Sequence, residues 1–391
     1  MTDAQYIRLA LRLARRAYGA TSPNPMVGAV LVRGGKIIGR GWHHQAGAPH
    51  AEIEALRDAR QRRHTPRGAT LYVTLEPCCT QGRTPPCTDA IIAAGIRRVV
   101  AGTTDPNPRH AGRGFEILRR AGIRAATLDA GTDGGRRVAG ACTRLNEAFN
   151  HWIVHRTPFV TVKAAMTLDG KIATAAGESK WITGAAARAW GMQLRHGHDA
   201  ILAGVNTILA DDPSLTVRPA KAPATAGGLR RLVLDSRART PLTARVVSDE
   251  WAALTTIVTS RRAPKRRVAA LAKKVKVWTA PAGKRGISPG WLVKRLGAEN
   301  VTSLLVEGGG EVNASFLFGG LAQRVAFFYA PKVLGGREAH AAVAGEGARN
   351  WRGVLQLEDI EWRKLGGDLL LTARVRPPDK RAPKGSKTGA R

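Results

Sequence analysis

Two consecutive α/β domains are the architecture this sequence of 391 residues predicts. Three observations point there. Segments with helical spacing alternate with short apolar runs of strand character in both halves, the pattern of helices layered on a sheet. A long helical stretch ends near His151, and Pro158 then opens a second series of strands. The chain is also longer than a single hydrophobic core usually serves. The expected division is residues 1–151, residues 152–376 and a basic, proline- and glycine-containing tail at 377–391. That tail carries no apolar pattern and is expected to be disordered.

In chain order, Tyr6 to Tyr18 places Ile7, Leu9, Ala10, Leu13, Ala14 and Ala17 at helical spacing between arginines. Thr21-Ser22-Pro23-Asn24-Pro25 breaks that helix, because proline fixes φ and disfavours a helical residue before it. Val27 to Val32 and Lys36 to Trp42 read as a hairpin turning at Arg33-Gly34-Gly35. A helix at 50–60 follows, then strand 69–75, helix 89–94, strand 97–102, helix 114–121, strand 123–127 and helix 137–149. The second half reads as strand 159–164, helix 185–195, strand 200–203, a helix start at 205–209, and strands at 232–234, 256–259 and 275–278. Helices at 291–296 and 312–318 and strands at 301–306, 324–330 and 368–375 complete it; 219–228 and 261–267 read as exposed connections.

No apolar run approaches the ~20 residues a membrane span requires, and the first 19 residues carry five charges, so a cytoplasmic protein with no membrane partner is expected. The 62 basic against 29 acidic residues give a formal charge of +33. Such an excess suits nucleic acid, a generally basic proteome or phosphorylated small molecules. Aromatic residues make up only 5%, which is poor material for a base-stacking face, so no nucleic-acid partner is expected. The rival is a zinc-dependent nucleoside or RNA deaminase whose basic C-terminal half binds nucleic acid.

Three of the four cysteines, Cys78, Cys79 and Cys87, fall within ten residues, which in a cytosolic chain points to metal rather than disulfides. His50, Cys78 and Cys87 can supply three ligands to a tetrahedral Zn²⁺ and leave one position open, as in catalytic sites. Glu52, two residues beyond the histidine, could move protons without joining the metal. This is the logic of zinc deaminases, where an activated water attacks an amidine carbon and ammonia leaves. Cys87 near a helix start favours a thiolate, whereas Cys79 should point elsewhere and Cys142 belongs to the core. Eight residues separate the two cysteines, against two in compact nucleic-acid deaminases. Arg83 and Thr84 in that loop either line a pocket or serve loop structure.

Pro23-Asn24-Pro25-x-Val27-Gly28, Gly41-Trp42-His43, Pro49-His50-Ala51-Glu52 and Gly82-Arg83-Thr84-Pro85-Pro86-Cys87 resemble the N-terminal half of the bifunctional riboflavin-biosynthesis deaminase–reductase family. Downstream, Lys163-x-x-x-Thr167-Leu168-Asp169-Gly170-Lys171, Gly177-Glu178-Ser179-x-Trp181-Ile182-Thr183, 210–218 (ADDPSLTVR) and Glu307-Gly308-Gly309 resemble its second half. The match departs at Cys79-Thr80, where many members carry Ser-His. The resemblance implies a cytidine-deaminase-like three-layer α/β/α domain followed by a dihydrofolate-reductase-like α/β domain. It implies two reactions on one phosphorylated ribosylaminopyrimidine: zinc-dependent loss of the C2 amino group as ammonia, then reduction of ribosyl to ribityl by NADPH. It further implies NADPH contacts at Ala165, Trp181, Thr207, Asp211, Gly309 and Gly310, and substrate contacts at Ser179, Arg195, Leu215, Arg218 and Glu307. A homo-oligomer assembled through the reductase domains is also implied. Asn24 and His43 either orient the base or cap local structure; Lys163 and Asp169 either shape the reductase site or form ordinary ion pairs. Arg195 and Arg218 suit a substrate phosphate, which guanidinium binds bidentately.

Overall fold

The computed structural model describes residues 1–81, 85–217, 228–281 and 286–376. The first half is built from α1 (Asp3–Ala14), β1 (Gly28–Arg33), β2 (Lys36–Trp42), α2 (Ala51–Gln61), β3 (Thr70–Val73), α3 (Cys87–Ala93), β4 (Arg98–Ala101), α4 (Arg113–Arg120), β5 (Arg124–Thr127), α5 (Asp133–Leu145) and α6 (Glu147–His155). Its five strands form one sheet in the order β2-β1-β3-β4-β5, antiparallel through β1 and parallel from β3 to β5. Period-two alternation sorts the strand residues between two cores. Ala29, Leu31, Leu71, Val73, Val99 and Ala101 face α2, α3 and α4. Val30, Val32, Tyr72 and Val100 face α1 and α5. The result is a three-layer α/β/α unit, as expected.

Two glycines let this unit place its chemistry. A Cβ at Gly39 would lie 2.3 Å from Ala55 O, and one at Gly41 2.3 Å from Ala55 N. Side chains there would lift α2 off β2, and with it the His50–Glu52 segment at the helix start.

The second half contains β6 (Phe159–Thr167), β7 (Lys171–Ala173), α7 (Ala185–His196), β8 (Ala200–Gly204), α8 (Val205–Asp211), β9 (Arg230–Leu234), α9 (Arg245–Ser248), β10 (Thr255–Ser260), α10 (Lys265–Ala272) and β11 (Lys276–Ala280). It continues through α11 (Pro289–Ala298), β12 (Ser303–Val306), α12 (Gly310–Leu317), β13 (Arg324–Ala330), β14 (His340–Ala341), β15 (Leu357–Leu365) and β16 (Asp368–Val375). Nine strands make one sheet, β11-β10-β9-β8-β12-β6-β13-β16-β15, parallel as far as β13 and antiparallel at the β16-β15 edge. β12 is inserted between β8 and β6, so the chain reverses direction across the sheet there. Such a switch opens a crevice at the carboxyl ends of the strands.

The expected helix at 137–149 is two helices. Asn146 interrupts it at φ −114°, ψ 24°, because its amide is spent on Met26: Oδ1 accepts from Met26 N at 2.8 Å and Nδ2 donates to Met26 O at 2.9 Å. The second of these, α6, runs across residue 151, so the expected domain division falls inside a helix. The stretch at 261–267, read as a connection, starts α10, which buries Leu271 behind a Pro264 N-cap. β15 was not foreseen because its charged residues follow no alternation; it is an edge strand exposed along nearly its whole length. Arg83 and Thr84, most of 219–228, and the tail lie outside the described residues.

The two halves meet closely. Tyr18 Oη donates to Gln193 O at 3.3 Å, and Glu147 pairs with Arg324. Helix α6, which spans the boundary, is held to the second half where Trp152 Nε1 donates to Gly297 O at 3.0 Å. A Cβ at Gly297 would lie 2.0 Å from Arg156 O, so the approach requires glycine.

Candidate active sites

His50 is the N-cap of α2, with extended backbone at φ −73°, ψ 163°, and Cys87 is the first residue of α3. The carboxyl end of β3 leads through Glu76 and Pro77 to Cys78. These three elements bring His50 Nδ1 to 3.4 Å from Cys78 Sγ and 3.3 Å from Cys87 Sγ. All three donor atoms lie within 4.8 Å of one another. The Cys87 amide, at the start of α3, points at Cys78 Sγ from 3.3 Å.

The electrostatics suit a cation. Hydrogen bonds from Cys87 and then His50 pull the Cys78 thiol down, against burial, while the same contact with Cys78 pushes the Cys87 thiol up. Hydrogen bonding to Cys78 raises His50. A nitrogen and two sulfurs thus crowd together, sharing protons, where a divalent ion would replace them. That donor set and spacing fit zinc with one coordination position left over. Glu52 is 3% exposed in the first turn of α2. Burial chiefly, with negative charge at Cys78 adding to it, pushes its carboxyl up to about 7.

Beside this cluster His43 and Asn24 are joined. His43 Nδ1 lies 3.1 Å from Pro49 O and Nε2 lies 3.2 Å from Asn24 Nδ2. Burial lowers the His43 pKa. The neutral ring therefore donates from Nδ1 to the carbonyl and accepts the Asn24 amide at Nε2, the only tautomer that serves both. His43 itself is buried and reaches the metal cluster through the residue before His50, its ring edge-on to the His50 ring at 5.4 Å. Cys79 stands outside the donor set, and Cys142 is buried in the core under α5.

Sequence reasoning passed over Glu76. Its buried carboxylate accepts four main-chain amides: Asp105 and Gly112 at 3.0 Å on Oε2, Gly114 at 2.9 Å and Phe115 at 3.4 Å on Oε1. It thereby caps α4 and ties the β4–α4 loop to the strand end that carries Cys78. Gly114 is required there, since a Cβ would lie 2.4 Å from Pro77 O. The signal was a glutamate directly before Pro77-Cys78, but its partners are about thirty residues away.

In the second half the carboxyl ends of β6, β8 and β12 adjoin. Glu307, just past β12, receives Arg195 through two bonds, Nε to Oε1 at 2.9 Å and Nη2 to Oε2 at 3.0 Å, with Lys163 Nζ at 3.5 Å from Oε2. Burial alone would raise this carboxyl, yet the charges of Arg195 and Lys163 outweigh it and hold the pKa at about 2. Arg195 Nη1 also donates to Thr216 O at 2.9 Å, so two of its five N–H groups have no partner among the described residues. Ser179 Oγ donates to Asp211 at 2.8 Å.

Ala165 lies on β6, Thr207 in the first turn of α8, and Gly309 is the N-cap of α12, with Gly310 its first residue. A Cβ at Gly309 would meet nothing within 4 Å, whereas one at Gly310 would press on Ala341 O at 2.3 Å. The helix start is thus open on the Gly309 side and close-packed on the Gly310 side, and a helix N-terminus is where an anion finds main-chain donors. The Trp181 ring is exposed, 4.8 Å from the Arg188 guanidinium, and Lys332 Nζ donates to Trp181 O. The Leu215 side chain is buried, so that residue offers a ligand only its main chain. Asp169 is held well below its ordinary pKa by the Thr167 hydroxyl and by the Leu334 and Gly335 amides, which pins the 332–335 loop. Arg218 lies outside the described residues.

Comparison with known proteins covers both halves. Residues 158–371 match the RibD C-terminal domain, and residues 1–103 match the cytidine and deoxycytidylate deaminase zinc-binding region. The chain is 40% identical over 373 residues to the riboflavin biosynthesis protein RibD of Actinobacillus pleuropneumoniae, covering 95% of each. It is 41% identical over 372 residues to that of Aquifex aeolicus, covering 94% and 97%. Among solved structures, Acinetobacter baumannii RibD superposes with a TM-score of 0.81 at 32% identity, over 96% of this chain and 99% of that one. The diaminohydroxyphosphoribosylaminopyrimidine deaminase/5-amino-6-(5-phosphoribosylamino)uracil reductase of Thermotoga maritima does so at 0.79 and 33%, over the same shares.

Proposed function

This chain belongs to the RibD family of riboflavin biosynthesis proteins, and we propose that its two sites act in succession on one phosphorylated ribosylaminopyrimidine. The first deaminates the pyrimidinone of 2,5-diamino-6-ribosylamino-4(3H)-pyrimidinone 5′-phosphate; the second reduces the ribosyl chain of the product to ribityl. The observation that carries this reading is the convergence of His50, Cys78 and Cys87 beside a buried glutamate that is not one of them.

In the deaminase site His50, Cys78 and Cys87 would hold zinc. Zinc bound there supplies an acidified water for attack on the amidine carbon. Glu52, with a carboxyl poised near neutrality, carries two protons in turn, the first to the ring nitrogen and the second from the newly formed hydroxyl to the departing ammonia. Neutral His43 orients Pro49, and so His50, while Asn24 fixes the His43 tautomer and faces the base.

In the reductase site NADPH supplies the hydride, and the protein supplies position and charge. Amides at Gly309 and Gly310 receive the cofactor pyrophosphate; Ala165, Trp181, Thr207 and Asp211 line the rest of its path. Glu307, ionised and locked to Arg195 and Lys163, presents a fixed acceptor to the ribosyl hydroxyls. The two other N–H groups of Arg195, with Arg218, take the phosphate, and Ser179 and the Leu215 main chain complete the pocket.

The rival, a nucleic-acid-binding C-terminal half, is not favoured, because that half belongs to a reductase family. We place the protein in the cytoplasm, in keeping with its NADPH chemistry; no helix among the described residues is long and apolar enough to cross a membrane. The division into functional halves is placed near 151, within α6. A homo-oligomer formed through the reductase half is supported by β15, whose outer edge is unpaired among the described residues and which exposes Ile360 and Trp362. Light scattering during gel filtration tests it; a monomer at micromolar concentration overturns it.

The central test is incubation of the purified protein with the diaminopyrimidinone ribosyl phosphate, with and without NADPH. Ammonia release in both cases and NADPH oxidation in one is expected. Ammonia without oxidation removes the reductase assignment, and silence in both assays removes the whole reading.

A further inference from the structure

Arg231, the second residue of β9, is fully buried among the apolar side chains beneath α8 and α9. Its fork grips Asp249 through Nη1 at 2.6 Å and Nη2 at 2.7 Å. Nη2 also donates to Val246 O at 3.2 Å. The remaining bond goes elsewhere: Nη1 donates to Ser214 O at 2.8 Å. Ser214 lies in the segment after α8, which leads toward Arg218.

That segment holds an unfavourable conformation. Asp212 at φ +41° and Leu215 at φ +50° both occupy the left-handed region, which side-chain-bearing residues rarely adopt. Such a backbone persists only where its surroundings over-determine it. Here the Arg245 amide donates to Asp212 Oδ1 at 2.8 Å, Ser214 Oγ lies 3.0 Å from Thr216 Oγ1, and the Leu215 side chain is sunk in the core with Val205, Val233 and Val246. Two arginines bracket the strained residue: Arg231 on the carbonyl before Leu215 and Arg195 on the carbonyl after it, at Thr216. Arg195 in turn is locked to Glu307. One hydrogen-bonded chain therefore runs from Asp249 through Arg231, the 214–216 backbone and Arg195 to Glu307.

We propose that Arg231 is a positioning residue of the reductase site, clamping the strained Ser214–Thr216 segment against Arg195 and so setting affinity for the phosphorylated substrate. This rests on the reading of Arg195 and Glu307 as substrate groups. A lysine cannot replace it, because one ammonium cannot reach Asp249, Val246 O and Ser214 O in the planar fork arrangement. Asp249 holds the Arg231 guanidinium in place, and its Oδ1 also accepts the Trp251 amide at 3.1 Å.

The zinc-loaded full chain provides its own control, since the deaminase site lies on the other sheet. Arg231→Lys and the milder Asp249→Asn are assayed for both activities. The expected result is a reductase KM for the deaminated phosphate raised about tenfold, ~1.4 kcal/mol, with reductase kcat, KM for NADPH and deaminase kcat/KM little changed. Amide hydrogen exchange across 212–217 should quicken in both variants. A purely structural ion pair would lower Tm without moving that KM in the folded protein. Unchanged KM in variants that still deaminate overturns the proposal, as does unchanged exchange. Should Arg231→Lys fail to fold, Asp249→Asn decides by the same two readouts. A wild-type chain that deaminates but never reduces overturns instead the reading of the pocket, and the exchange data still judge the clamp.

Discussion

Glu76→Gln separates a bystander near the metal cluster from the residue that holds it together. The carboxylate accepts four amides, two on each oxygen. Glutamine keeps one oxygen, which can serve Gly114 and Phe115, but its NH₂ then confronts the Asp105 and Gly112 N–H groups donor to donor. Two part-buried amides are left unpaired, at ~1–2 kcal/mol each, the lower part of the range for a buried group. Partial relaxation of the 105–112 loop brings the expected loss to about 3 kcal/mol, a fall in Tm of ~6–12 °C for a unit of some 150 residues. Because Cys78 follows two residues later, zinc affinity should weaken as well, by ~10-fold or more, as when groups that orient metal ligands are removed. Differential scanning fluorimetry and chelator competition measure the two effects. A Tm within ~2 °C of wild type together with unchanged zinc dissociation would refute the reasoning.

Glu52→Gln should retain zinc by elemental analysis yet lose deamination by ~10²–10⁴-fold, the span of general acid–base catalysis; metal loss would contradict its role outside the ligand set. Glu307→Gln addresses pH. The folded carboxyl titrates at about 2, below its unfolded value of ~4.3, so its stabilisation is present above the unfolded value and is lost as pH falls through the folded one. The Tm difference between wild type and variant should hold from pH 8 to about 5 and close between ~4.5 and ~2; a gap that instead grows on acidification would be incompatible with the ion cluster. Gly297→Ala drives a Cβ into Arg156 O at the junction of the halves, where Trp152 also bonds, and should cost ~1–3 kcal/mol of stability by thermal melting. An unchanged melt would mean that the end of α6 does not pack on α11 there.

Much of the first sheet could be read in one dimension because its information is local. The hairpin at Arg33-Gly34-Gly35, the alternation in β1 and β3 and the helical spacing of α1 are set by neighbours within a few residues. Elements shaped by distant partners were misread. The Asn146 break is invisible without Met26, which is 120 positions away in the sequence. β15 pairs only at an exposed edge and carries no apolar alternation to announce itself. The candidate metal site divides in the same way. His50, Glu52, Cys78 and Cys87 stood out by residue type and spacing, since few side chains offer those donors. Glu76 and Arg231 did not, because a lone glutamate or arginine in a sequence looks like solvated surface. Sequence by itself determined the two α/β halves, the donor set and the family, since composition, period and spacing are properties of the chain. Only the tertiary structure decided which charged residues are buried and what they hold, because a carboxylate's or guanidinium's role depends on the backbone groups that folding brings within 3 Å of it.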